Sequence, residues 1–386
     1  MRPVVRPLEV AQVIRDGGGT ASAELTVAAK LRDRGHRVTL YGPPEVREQA
    51  HERGFDLEEL AWPPQVAAQP TEDLIPRMIG ASGAWARRLA PAFGEGADLV
   101  VADCTVFGAL LAAQASGVPS AGLMPTVYVA GAPRAKADHV RGDWSAALEG
   151  LNQARKGLGL HPVTSITEQI LDVNRLLVLS SRTFELPDVQ PPDHVRYVGP
   201  QLPQLHQPPA VRLPDGDGPL VLVSLSTTDQ GQLDLLKRLL AAIAALPVRA
   251  LVTLGHSVEA EGLDPPANVV LERFLPHQSV LPHASLVVTH AGHGTVMAAV
   301  SAGVPLVCVP MGRDQPAVTA RVTRHGLGVH IEPDAGVDAL RLAIDHVLNE
   351  PGYGEAARRM AHAFEPTSLV TDEVETLAAA RIRAHS

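Results

Sequence analysis

Cysteine is scarce in this 386-residue chain: only Cys104 and Cys308 occur, each inside an apolar run. That argues against a disulfide framework and against a thiolate metal cage, and both read as small buried hydrophobes. Aromatic residues make up 3%, which leaves few platforms for stacking. Positive charge is short too. With 33 Lys and Arg against 42 Asp and Glu, the net charge is −9, and no global basic field exists to hold nucleic acid or an anionic membrane surface. Nowhere do about 18 uncharged apolar residues run together, and MRPVVRPLEV has no apolar stretch of signal-peptide length. No membrane span and no nucleic-acid partner are expected, and the cytoplasm is the default location.

What the chain does contain suits a packed protein. Hydrophobic residues at 45% and charged residues at 19% are far from a disordered balance. The length exceeds what one core usually spans, so two domains are expected. Short β-rich runs alternate with helical patterns: EVAQVI, a helix from about Thr20 to Arg34, HRVTLY, a helix from Pro44, then DLVVAD and another helix. After the proline-rich stretch QLPQLHQPPAVRLPDGDG the rhythm restarts with PLVLVSLS, a helix over Gln232 to Ala245, VRALVTL, NVVLERF, SLVVTH, a helix from Gly294, and PLVCVP. This is the parallel βαβ rhythm. The predicted division is a first domain over 1–200, a linker over 201–218, a second domain over 219–365, and an amphipathic terminal helix within 366–386.

Two segments resemble each other. DLVVADCTVFGALLAAQASGVPSAGL from Asp98 and SLVVTHAGHGTVMAAVSAGVPLVCV from Ser285 both run from an apolar strand through a polar residue and a helix to SGVP or AGVP and another strand. Asp103 and His290 hold the same place 187 residues apart, and Gly117 and Gly303 are 186 apart. Duplication and chance similarity between two βαβ units both lead to two similarly wound sheets. In open α/β sheets ligands bind outside the carboxyl ends of the strands, where helix amino termini point. The polar residues at those ends are Asp16 with the GGGT after it, Asp103, Ser224 to Thr228, and His290 to Thr295.

THAGHGT, residues 289–295, enters a helix with glycines at Gly292 and Gly294. A missing Cβ lets amides approach a ligand, and the helix start carries about half a positive charge. A diphosphate fits there without a basic patch, with His290 and Thr295 as side-chain donors; a plain tight turn is the alternative. MGRDQPAVTARV places Asp314 and Gln315 at the next helix start, suited to a sugar's adjacent hydroxyls, although Asp314 alone also reads as an N-cap. ERFLPHQSVLPHA puts Phe274 and His277 before the SLVVTH strand. The ring of Phe274 could stack on a nucleobase, worth about 1–3 kcal/mol, or belong to the core.

The run ERFLPHQSVLPHASLVVTHAGHGTVMAAVSAGVPLVCVPMGRDQPAVTARV resembles the donor-binding signature of the bacterial antibiotic-type nucleotide-sugar glycosyltransferases. Their members decorate macrolides, enediynes, glycopeptides and aromatic polyketides. The match spans roughly fifty residues, and weaker agreement in domain size, linker and GHRV extends it over the chain. It implies two Rossmann-like parallel-sheet domains facing across a cleft, the GT-B fold. It also implies that His290, Gly292, His293, Gly294 and Thr295 surround the diphosphate. Phe274 would stack on the base, with His277 also on the donor side, and Asp314 and Gln315 would hold the donor sugar. Ser226 and Thr227 would touch the phosphate from the other side. No metal is implied, and no cofactor besides a nucleotide-sugar co-substrate.

IRDGGGTASAELTVAAKLRDRGHRV resembles the family's first strand, glycine-rich loop and helix. It fails as a dinucleotide fingerprint, because GGGTAS breaks G-x-G-x-x-G at its last glycine and no acidic residue ends RVTLYG. The resemblance gives this loop, with Gly18 and Gly19, to the acceptor. Met124, Tyr128 and Trp144 lie in a moderately apolar region that would line a pocket for a hydrophobic aglycone, or merely pack. In most relatives a histidine fifteen residues before the GH turn is the general base, oriented by an aspartate. Here those positions are Thr20 and Asp103. Threonine takes up no proton near neutral pH, and a positioned base is worth about 10² to 10⁴ in rate. Either Asp16, Glu24, Asp103 or a water on Asp103 substitutes, or the acceptor is acidic enough to need little help. Asp16 also reads as a loop cap, and Glu24 as a solvated helix face.

Further departures concern the donor. Ala298 replaces a glutamate that in many relatives accepts from the ribose hydroxyls, which favours a dTDP-sugar over a UDP-sugar. Ala291 and Ser226 stand where glycine is common. The expected activity is an inverting transfer of a (deoxy)sugar to a hydrophobic natural-product aglycone, at a phenol or N-hydroxy group if the acceptor is acidic. The alternatives are a catalytically silent auxiliary sugar-nucleotide-binding protein and a sugar-nucleotide epimerase on the same fold. A nicotinamide dehydrogenase fits poorly with the broken glycine pattern, and a homodimer is an open alternative.

Overall fold

The computed structural model describes residues 6–15, 19–67, 74–128, 145–204, 209, 211–226, 230–255 and 258–384. Among them two parallel sheets form. The first contains β1 (Glu9–Val13), β2 (Arg37–Gly42), β3 (Leu57–Glu59), β4 (Leu99–Asp103), β5 (Ser120–Met124), β6 (Arg175–Val178) and β7 (Val195–Tyr197), in the order 3-2-1-4-5-6-7. The second contains β8 (Leu220–Ser224), β9 (Arg249–Thr253), β10 (Val269–Glu272), β11 (Ala284–Thr289), β12 (Leu306–Cys308) and β13 (Gly328–His330), in the order 10-9-8-11-12-13. β4 (LVVAD) and β8 (LVLVS) are buried at every residue. Helices cover both faces of such sheets, so their strands read as unbroken apolar runs.

Strand order reverses between β1 and β4 in one sheet and between β8 and β11 in the other. Asp103 ends β4 and His290 follows β11, so the two residues matched by the internal similarity stand at corresponding switch points. The repeated SGVP and AGVP have a common physical cause. Gly117 (φ 67°) and Gly303 (φ 71°) adopt the left-handed conformation that ends a helix, and Val118 and Val304 then enter the core. At Gly303 an added Cβ would also lie 2.8 Å from Arg358 Cγ.

The carboxyl edges of the two sheets approach each other. Thr126, two residues beyond β5, donates its hydroxyl to Asp314, on the loop after β12. Asp314 precedes the helix Gln315–Arg324, which is also anchored at its far end. There Arg321 pairs with Glu185 of the first domain, donating from Nε at 2.7 Å, with side chains only 2% and 1% exposed. Tyr197 donates its hydroxyl to the other Glu185 oxygen at 2.9 Å, and Arg321 also reaches the Tyr128 carbonyl at 3.4 Å. The helix Leu369–Ala384 lies on the first sheet, with Val370, Val374 and Ala378 packed among Val10, Leu99, Val101 and Leu177. Glu375 holds it there by accepting from Arg34 at 3.0 Å. No helix among the described residues is long and apolar enough to cross a membrane.

Removing one partner of a buried ion pair strands the other charge, typically at about 3–5 kcal/mol, whereas replacing both by apolar groups is often near neutral. Glu185→Ala should therefore lower stability by about that much in urea unfolding. The double substitution Glu185→Leu with Arg321→Met should recover most of the loss. Equal losses in the single and double variants would contradict this view of the interface.

Candidate active site

At the end of β11 the chain turns through His290, Ala291 and Gly292 into the helix His293–Ser301. Ala291 is fully buried in a left-handed conformation, φ 64°, and its amide donates to Thr289 Oγ1 at 3.3 Å. That backbone costs a residue with a Cβ on the order of 1–2 kcal/mol. The other such non-glycine residue among those described is Arg313, φ 56°, on the loop after β12. Both strained residues border the same strand edge, and stored strain of this kind clusters at functional sites. Gly292 is needed for close approach: a Cβ there would lie 2.5 Å from His290 Nε2. A Cβ at Gly294 would meet nothing within 4 Å, so the first helical turn opens onto free space. Amides in that turn have no intrahelical acceptor and lie at the positive end of the dipole, which favours an anion.

Three imidazoles surround this opening. His277 Nε2 lies 3.0 Å from Ser224 Oγ at the end of β8. His293 is 8% exposed, and its Nε2 has no hydrogen-bond partner among the described residues. Burial holds His277, His290 and His293 down to about 4, with His290 adding to the effect at His277 and Asp314 opposing it at the other two. All three are neutral at pH 7.

Gln315 is 2% exposed, and its side chain organises the neighbouring loops. Its Oε1 accepts from the amides of Met311 at 2.7 Å and Gly312 at 3.1 Å, and its Nε2 donates to Gln230 Oε1 at 3.0 Å. Gln230 in turn donates to Ser226 Oγ at 2.6 Å. The Gln315 amide, read with Asp314 as a partner for sugar hydroxyls, thus has its carbonyl occupied by backbone and its Nε2 engaged by Gln230. Phe274 is 61% exposed, which excludes the core alternative and presents its ring at the surface, as stacking requires. Thr227 lies outside the described residues, as do Asp16, Gly18 and Trp144.

On the first domain, Asp103 is fully buried. Its Oδ2 accepts from Arg15 Nε at 2.8 Å, and its Oδ1 from the Thr105 amide at 2.7 Å and from the Thr105 hydroxyl. Glu24, in the helix Gly19–Asp33, is also fully buried, which corrects the solvated-face alternative. It accepts from the Arg15 amide at 3.1 Å, and the Glu24 carbonyl accepts from Gln12 Nε2 at 2.7 Å. Burial and then the charge of Asp103 push Glu24 well above the usual carboxylate range. Burial would raise Asp103 as well, but Arg15 beside it and the bonds from Glu24 and Thr105 hold it below that range. Thr20 and Gly19 open the helix, and this helix packs against His293–Ser301, which brings the two sites together.

Comparison with known proteins agrees with this architecture. Residues 237–377 match the family described as erythromycin biosynthesis protein CIII-like, C-terminal domain. The chain is 28% identical to 4'-demethylrebeccamycin synthase of Lentzea aerocolonigenes over 94% of its own length and 96% of that protein's. It is 27% identical to demethyllactenocin mycarosyltransferase of Streptomyces fradiae, over 85% and 76% of the two chains. The crystal structure of the glycotransferase of kitacinnamycin superposes with a TM-score of 0.84 at 26% identity, covering 97% of this chain and all of that one. The chain is a glycosyltransferase with the GT-B fold, similar to those of antibiotic biosynthesis.

In this glycosyltransferase, Met124 and Tyr128 are 1% and 2% exposed and pack into the first domain's core. Three residues that shape the site were not singled out from sequence. Arg15 carried a signal, a cation at the exit of β1 one strand away from an aspartate at the exit of β4. Thr126 and Gln230 sit in loops with no such mark.

The neutral imidazoles give the glycosyltransferase a specific acid sensitivity. An unfolded histidine takes up a proton near 6.5, and these three do so near 4 when folded. Between those values the unfolded chain binds more protons, so their contribution is intact above pH 6.5 and lost as pH falls towards 4. His293→Asn should lose less stability than the parent between pH 7 and pH 5 in urea unfolding. An unchanged pH slope would contradict a neutral buried His293.

Proposed function

We propose that the enzyme transfers a deoxysugar from a dTDP-sugar, in preference to a UDP-sugar, to an acidic hydroxyl or N-hydroxy group on a hydrophobic natural-product aglycone, with inversion. The observation that carries the acidic-acceptor part is the state of the base position. Thr20 has only a hydroxyl, and the bonds of Asp103 commit its oxygens to Arg15 and Thr105. On the donor side, the first-turn amides of His293, Gly294 and Thr295, together with His290, would receive the charge on the leaving diphosphate. Such preorganised donors act on charge as it develops, and the proposal needs no metal ion. Phe274 would stack on the base, and Asp314 would accept from the sugar once Thr126 releases or shares it. Ala298 offers a ribose no hydroxyl contact, which suits a deoxyribose donor.

In the transfer itself, the acceptor oxygen attacks the anomeric carbon from the face opposite the diphosphate. The bond to the diphosphate breaks, and its electron pair leaves on phosphate oxygen. The test is incubation with a dTDP-sugar and candidate aglycones while free dTDP is followed. Release should depend on acceptor and survive EDTA, and His290→Ala should reduce it about 10²-fold, as loss of a single preorganised donor does elsewhere. Release without acceptor would favour hydrolysis or epimerase-type chemistry. Nucleotide binding without release under any acceptor would favour the auxiliary protein.

A further inference from the structure

Among the described residues, the cluster at the exit of β1 and β4 has no free carboxylate placed to take a proton, and it has one cation with unused donors. Val13 of β1 pairs with Ala102 of β4, so Arg15 emerges just beyond the level of Asp103 and turns its Nε back to it. Both Asp103 oxygens are engaged, and its side chain has no exposed surface. Glu24 Oε2 accepts from the Arg15 amide, while Glu24 Oε1 is buried with no donor among the described residues. Two carboxyl groups enclosed side by side cannot both carry charge, so one proton stays between them. With Glu24 as the protonated partner, its carboxyl is the donor to Asp103. The Cys104 thiol next along the chain is buried and neutral as well. Arg15 thus has a counter-ion in Asp103, and the cluster is neutral overall.

The Nη groups of Arg15 make no hydrogen bond or ion pair among the described residues, and its side chain retains 13% exposure. Its position is the carboxyl edge of the first sheet, beside the helix that packs on His293–Ser301. A guanidinium fixed through Nε presents its remaining N–H groups in a rigid plane, the geometry that suits an oxyanion.

We infer that Arg15 is the acceptor-binding group of this enzyme and that it takes the acceptor's reacting oxygen as an anion, restricting acceptors to phenols, N-hydroxy compounds and similarly acidic groups. The inference rests on the transfer reading above. The acceptor gives its proton to solvent before transfer, and Arg15 holds the resulting oxyanion. The oxygen's electron pair forms the new bond to the anomeric carbon, and the diphosphate leaves with the pair of the bond that breaks. No side chain of the cluster changes protonation during the step. Glu24 stays outside the reaction as a neutral, buried partner of Asp103.

The experiment uses the full chain, a dTDP-sugar, and 4-nitrophenol, phenol and benzyl alcohol as acceptors, with dTDP affinity measured in parallel. Wild-type kcat/KM should fall from 4-nitrophenol to phenol and be lowest for benzyl alcohol, and its rise with pH should follow each phenol's own ionisation. Arg15→Met should lower kcat/KM on the phenols by about 100-fold, in line with loss of a charged hydrogen bond of about 1.5–3 kcal/mol, and leave dTDP affinity unchanged. Because Arg15→Met strands Asp103, the double variant Arg15→Met with Asp103→Asn keeps the cluster neutral and should fold and show the same loss. Glu24→Gln should change kcat/KM by no more than about threefold, since a neutral amide replaces a neutral carboxyl. Unchanged rates in both Arg15 variants would overturn the inference. So would a 100-fold loss in Glu24→Gln, or benzyl alcohol reacting as fast as the phenols. If the wild type binds dTDP-sugar yet forms no product with any of the three acceptors, the transfer reading fails and this inference fails with it.

Discussion

The open first turn of the helix His293–Ser301 is the constraint on which the rest of the second domain is arranged. To keep it open, the chain accepts a left-handed Ala291 and a Gly292 over which the His290 ring can fold. An anion held there is stabilised by amides whose positions are fixed by the helix itself, so no reorganisation is needed when charge arrives. In a protein of net charge −9, the proposed diphosphate site therefore calls for no basic surface.

The two strand edges solve different electrostatic problems. At the second sheet's edge, burial keeps three imidazoles neutral beside the open helix end. At the first sheet's edge, charge is present and balanced between Arg15 and Asp103, with the Arg15 Nη groups unpaired among the described residues. A second helix also ties the two sides together. Gln315–Arg324 begins beside the Thr126–Asp314 bond and ends near the Arg321–Glu185 pair, so its position relative to the first domain is fixed at both ends.

Much of the fold was legible because parallel strands and their helix stops leave local marks. DLVVAD and SLVVTH read as buried strands, and SGVP and AGVP marked where a helix gives way to the next strand, a change made in the structure by the left-handed Gly117 and Gly303. The corresponding strand-end positions of Asp103 and His290 followed from the internal similarity, and the strand order of the structure makes them switch points. The side-chain partnerships were not legible, because they join distant residues without any periodicity. Arg15 and Asp103 are 88 residues apart, Glu185 and Arg321 136, and Thr126 and Asp314 188. Glu24 was ambiguous for another reason: the helix Gly19–Asp33 is buried on more than one side, so a polar residue in it carries no sign of which way it faces. Gln315 was placed correctly at a helix start, but only the structure shows its carbonyl used by the amides of Met311 and Gly312.

A crystal structure of the enzyme with dTDP bears most directly on the open helix end. Diphosphate oxygens should lie about 2.7–3.2 Å from the amides of His293, Gly294 and Thr295, with the thymine ring against Phe274. A nucleotide bound elsewhere, or that helix end filled by side chains in the complex, would contradict the dipole-held diphosphate.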